Sequence, residues 1–159
     1  PAPTAPSASP SQTTLRNPPV GLLFLEGSPR LLDAGLSIPG LYSGDPHRVA
    51  LEAYPGFCAR RIVRTSYKND ARAKQTRARR QARKLIVDTL TTTANPFGFA
   101  LTGPAQLLRS LVSDATGDRL DAVLCALQAA WAWQRRDANY GLPARIDPVE
   151  GWIAMVPEQ

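Results

Sequence analysis

The stretch DATGDRLDAVLCALQAAWAW, Asp114–Trp133, opens with three carboxylates and continues as a nearly uncharged apolar helix. Leu120, Leu124, Leu127 and Trp131 recur at i, i+4, i+7 and i+11, which puts them on one helical face and predicts a buried stripe. Arg135 and Arg136 suit the C-terminal end of such a helix. If the helix starts at Asp118, that residue is the N-cap and Asp121 stands at N3, so both carboxylates satisfy free N–H groups and meet the positive end of the dipole. The same spacing allows a second reading. Asp118 and Asp121, three apart, share a face and can offer oxygens to a divalent cation such as magnesium, which takes one or two carboxylates from an element and needs a further ligand from elsewhere. Glu52, near the end of VALEAYPG, is the candidate third acid; the plain alternative is a strand residue facing solvent.

Around this helix the chain divides by composition. The first twenty residues, PAPTAPSASPSQTTLRNPPV, hold six prolines among Ser, Thr and Ala, too few large apolar groups to offset the entropy of ordering them. Residues 1–19 are therefore expected to be a flexible leader and 20–159 a single domain, with about 140 residues available for a core. VGLLFLEGSPRLLDAG predicts a short helix, a break at Gly27 and Pro29, and a second helical turn ending at Gly35. SIPGLYSGDPHR predicts loop, RVALEAYPG a strand, and GFCARRIVR a short helix. ARAKQTRARRQARKLIVDTLT, from Ala71 to about Thr91, is rich in good helix formers without Gly or Pro, with Asn69 or Asp70 as its cap. AQLLRSLVSD predicts a short helix and GWIAMVP a final strand. No run reaches the roughly 18 to 20 apolar residues of a membrane span, and no signal-like segment stands at the start. A soluble, cytoplasmic protein that is not exported is the expectation. Cys58 and Cys125, far apart in apolar surroundings, predict reduced, buried thiols rather than a disulfide or a zinc site.

Charge is segregated. Residues 60–84 carry eleven Lys and Arg against one Asp, a local balance of +10 in a chain whose total is +6, so the remainder is net negative. Such a run is often only a solvated face, but that density of like charge favours a polyanion partner. Lys68, Arg72, Arg79, Arg80 and Arg83 are the expected phosphate contacts, the arginines through forked guanidiniums. His47 is the single histidine and reads as a plain loop residue. Trp131, Trp133 and Trp152 read as core or core-edge side chains rather than base-stacking platforms. The glycines fit neither the P-loop nor the dinucleotide pattern.

Taken in order, NPPVGLLFLEGSPRLL, GDPHRVALEAYPGFCAR, SYKNDARAKQTRARRQAR, DATGDRLDAVLCALQAAWAW and EGWIAMVP resemble the domain of unknown function numbered 429, a bacterial and archaeal family described as a predicted RNase H-like nuclease. The resemblance covers most of the chain after about Asn17. It implies an α/β fold of the RNase H-like, RuvC-type kind, helix-rich here. It further implies a hydrolase acting on phosphodiester bonds, in which acids from the first strand, the fourth strand and a late helix converge on two magnesium ions. On that pattern Glu52 looks like the fourth-strand acid and Asp118 and Asp121 like the late-helix pair, holding magnesium or manganese. The family's opening strand with its Asp has no counterpart here, so the chain is expected to be the C-terminal part of such a domain or to have diverged at its start. Weak or absent cleavage and a tendency to form homo-oligomers through an open sheet edge are then expected. The alternatives are a non-catalytic nucleic-acid-binding or structural module whose acids are caps, or an inactive relative that binds another protein through the basic helix.

Overall fold

The computed structural model describes residues 20–156; the proline-rich leader expected over 1–19 lies outside them. The chain is mixed α/β and helix-rich, and it separates into two units. The described part of the first comprises 20–52 and Leu142–Trp152, and that of the second Ala53–Gly141 and 153–156.

In the first unit α1 runs unbroken over Val20–Asp33, although the sequence predicts a break within it. Pro29 lacks an N–H to donate to the Leu25 carbonyl one turn back, and the Ser28 hydroxyl beside it donates to the Phe24 carbonyl at 2.8 Å. Leu22, Leu23, Phe24, Leu25, Leu31 and Leu32 are all exposed. The loop predicted over SIPGLYSGDPHR instead holds most of two parallel strands, β1 (Leu36–Ser37) and β2 (Asp45–Val49). Leu36 pairs with Asp45 and Ser37 with Val49, so the residues between Asp45 and Val49 bulge out of register. Pro46 survives in a strand because it falls in that bulge, where no ladder donor is required. The strand expected over RVALEAYPG therefore sits several residues earlier in the chain. His47 is exposed, and its N–H donates to Asp45.

The second unit is a helical cluster. It contains α2 (Pro55–Arg60), a single 3-10 turn over Arg72–Lys74, α3 (Arg77–Leu90), α4 (Ala105–Ser113), α5 (Asp118–Trp133) and a kinked 3-10 segment over Arg136–Gly141. Helix α3 packs on α4, and α5 on α2 and α4. Ile86, Leu90, Leu111, Leu120 and Leu124 are fully buried at the centre, with Cys58, Val63, Phe97 and Met155 around them. Three of the four stripe residues are thus core, while Trp131 lies at the edge with the Arg135 guanidinium 4.0 Å from its ring centroid. Trp133 differs from the expectation. It is 60 % exposed and faced by Arg136, because it sits 200° around the helix from Trp131.

The long basic helix expected from Ala71 is shorter. Its N-cap is Thr76, whose hydroxyl accepts from the Arg79 N–H, and Arg77 is its first residue. Ahead of it, Ala71 and Gln75 are extended on either side of the single 3-10 turn. Repulsion among closely spaced cations and a good cap at Thr76 outweigh the favourable helix propensity of 71–75. Where GWIAMVP predicts a final strand, residues 151–156 form isolated bridges and a turn instead.

Candidate anion-binding cleft

The start of α5 places the carboxylates one position away from the expected frame. Gly117, at φ +81° and ψ 6°, is the N-cap; Asp118 is the first helical residue, and the Asp121 N–H donates to the Gly117 carbonyl. A left-handed cap suits glycine, and a Cβ there would stand 2.8 Å from the Lys68 Cβ. The carboxylate that serves the helix N-terminus is Asp114. It accepts from the Arg119 N–H at 2.9 Å, and the Thr116 hydroxyl lies between it and Asp118, at 2.8 and 2.9 Å. Burial acts to raise the Asp114 pKa, but the N–H of Arg119, the Thr116 hydroxyl and the N–H groups of Thr116 and Gly117 outweigh it and hold it below the usual aspartate range.

A carboxylate depressed in the folded state stabilises fully above its unfolded pKa, and that stabilisation is lost as pH falls through the folded value. Stability should therefore decline on acidification below the ordinary aspartate range, and Asp114→Ala should flatten the decline while costing about 1 kcal/mol at neutral pH, as a lost cap does. Urea unfolding at a series of pH values measures both; an identical acid limb in the variant would refute the assignment.

Freed from capping, Asp121 turns to the loop ahead of α3. Its Oδ1 accepts from the Tyr67 hydroxyl at 2.5 Å and its Oδ2 from the Lys68 ammonium. Burial first, and the bond to Asp121 second, push the Tyr67 phenol well above its ordinary value. Burial by itself would lower the Lys68 pKa, but the hydrogen bond and charge of Asp121, with Asp118 and Asp70 further off, raise it. Both donors therefore keep their protons at neutral pH, so neither serves as a general base. Arg83 holds the loop from behind. Only 3 % exposed, it donates from Nη1 to the Tyr67 carbonyl at 2.7 Å and from Nε to the Val112 carbonyl at 2.9 Å.

In front of this trio opens a cleft of about 340 Å³, lined by Tyr54, Arg60, Arg64, Ser66, Lys68 and Asp121 among others. Three cations face one carboxylate, and that carboxylate is already paired. The arrangement offers hydroxyls and positive charge to an anion. Two thiols lie in the same unit: burial pushes Cys58 up to about 11 and raises Cys125 as well, so neither is an activated nucleophile.

The residues expected to bind phosphate have divided roles. Arg72 and Arg80 are exposed. Arg79 is half-buried, donating to the Lys74 carbonyl and to the Ser66 hydroxyl, so it braces the turn ahead of α3. Arg83 is a buried brace, and Lys68 is paired with Asp121. Glu52 belongs to the first unit, where it is half-buried near Gly151. Among the described residues no group of three His, Cys, Asp or Glu side chains is arranged to hold a metal ion. Tyr54, Arg60, Arg64 and Tyr67 escaped the sequence reading. The adjacent pair Tyr67-Lys68 sits in a loop with no periodicity, and its partner lies 54 and 53 positions away.

Compared with family models, curated proteins and solved structures, the chain matches none.

Proposed function

We propose that the second unit is a nucleic-acid-binding module that grips the phosphate backbone. The observation behind this reading is the set of cations along 60–84 that no acid neutralises. Among the described residues, Arg64, Arg72, Lys74, Arg77 and Arg80 are exposed and form no ion pair with a carboxylate. Arg77 and Arg80 follow one another along the exposed side of α3, away from Ala82, Arg83, Ile86, Val87 and Leu90, with Lys84 beyond them paired to Asp88 at 2.6 Å. Forked guanidiniums in such a row suit successive phosphates of one strand.

With three or four phosphates engaged, log K for a labelled single strand should fall with log salt at a slope of about −2 to −3, from roughly 0.7 per contact. Replacing Arg77 and Arg80 together by alanine should reduce that slope by about 1.4 at unchanged fold. Fluorescence anisotropy across a salt series measures it, and binding indifferent to both salt and the double variant would overturn the reading.

The rival proposal is a magnesium- or manganese-dependent nuclease on an RNase H-like frame, with Glu52, Asp118 and Asp121 as ligands. In its favour, Asp118 and Asp121 occupy the same first turns of α5. Against it stands the donor set: a cation at Asp121 must displace both an ammonium and a phenol hydroxyl, groups that repel or compete with a metal ion. These residues as arranged do not fit the ion. Cleavage of a labelled strand that requires added manganese and disappears in Asp121→Asn would establish this reading over the first.

A further inference from the structure

Tyr54 lines the cleft with its ring held firmly. Its N–H donates to Oε1 of Gln128 at 3.0 Å, and Gln128, fully buried, donates in turn to the Ala154 carbonyl at 3.0 Å. Pro55 restricts the residue to extended backbone, which is the conformation found, φ −131° and ψ 91°. Gly56 admits the ring alongside, since a Cβ there would lie 3.0 Å from the Tyr54 Cε2. Arg60 donates to the Tyr54 hydroxyl at 3.2 Å, with its guanidinium 4.9 Å from the ring centroid. The residue is nevertheless 39 % exposed. A rigid, wet aromatic braced by an arginine beside a cationic cleft combines the two parts of a single-strand site, a stacking surface and a backbone clamp.

We infer that the cleft takes one unstacked nucleotide, with its base against Tyr54 and its phosphate facing Arg64 and Lys68, so that the module prefers single-stranded to duplex nucleic acid. The inference rests on the reading of the second unit as a phosphate-backbone binder and adds what that binder selects. The volume is compatible with it: about 340 Å³ lies at the small end of the roughly 300–1,000 Å³ of ligand pockets. A duplex would have to unpair and extrude a base to enter, which a single strand need not do.

The test uses the full chain and three labelled probes of equal length: an oligothymidylate, the same sugar-phosphate strand with abasic residues, and a duplex. The intact single strand should bind more tightly than the other two. Tyr54→Ala should weaken only the oligothymidylate, by roughly five- to a hundredfold, and Tyr54→Phe should retain most of the affinity. Unchanged duplex affinity in Tyr54→Ala reports that the fold and the arginines are intact. Equal affinity of the wild-type chain for intact and abasic strands, or a parallel loss for all three probes in Tyr54→Ala, would overturn the inference while leaving backbone binding standing. Failure of the wild-type chain to bind any probe at low salt would remove both.

Discussion

Arg83→Ala should lower the stability of the second unit by about 3 kcal/mol, since each hydrogen bond from a buried charged group contributes roughly 1.5–3 kcal/mol and orphaned buried carbonyls add to the loss. The guanidinium is almost wholly enclosed and ties two segments together, the Tyr67 carbonyl ahead of α3 and the Val112 carbonyl in α4. Arg83→Lys should rescue little, because a single ammonium on a flexible stem cannot span both carbonyls as a planar fork does. Arg80→Ala, one turn away and exposed, should leave stability within about 0.5 kcal/mol of the wild type. Urea unfolding of the three variants gives the comparison; equal stability of Arg83→Ala and Arg80→Ala would mean that the buried brace is not a brace.

Asp121→Ala is the second large effect, and its two readouts should move in opposite directions. Removing the carboxylate leaves a buried phenol hydroxyl without its acceptor, at a cost of about 1–3 kcal/mol. The partly exposed Lys68 adds little to that cost, since solvent screens it. The released ammonium now faces the cleft without its counter-charge, so affinity for a single strand should rise severalfold in low salt. A pure ligand-set role for Asp121 predicts the contrary, loss of a metal-dependent activity with no gain in binding. The pH behaviour gives a further check. Lys68 has its pKa raised in the folded chain, so its contribution is fully present below the ordinary lysine value and fades only as pH rises through the raised one. Wild type and variant should therefore differ by a constant amount through the neutral range, and only the small Lys68 share of that difference should fade in strong alkali. Anisotropy and chemical unfolding on the same preparations measure both; lower stability together with weaker binding would refute the paired-carboxylate account.

Much of the helical core was legible. The Leu120, Leu124, Leu127 spacing and the apolar second half of α3 state their buried faces through periodicity alone, because a 3.6-residue repeat is local information. Charge segregation over 60–84 was equally visible. Local rules failed wherever a long-range partner set the outcome. Pro46 read as a loop residue until a bulge excused it from donating, and Arg83 read as a phosphate ligand although its helical face turns inward with Ile86 and Leu90. The spacing of Asp118 and Asp121 allowed capping or ligation, yet a glycine cap one residue earlier hands the helix N-terminus to Asp114.

The sequence by itself determined the elements whose reasons are local: the α5 stripe, the amphipathic α3 and α4, and the density of positive charge that makes an anion partner plausible. Only the tertiary structure decided which charges are available. Side chains adjacent in the chain, such as Arg79 and Arg80, part company once one bends back to the Lys74 carbonyl and the other stays in solvent. Residues more than fifty positions apart, Tyr67 and Lys68 with Asp121, become a single hydrogen-bonded group. A carboxylate's role follows from what donates to it, and donors brought in from distant segments leave no spacing in the sequence to read.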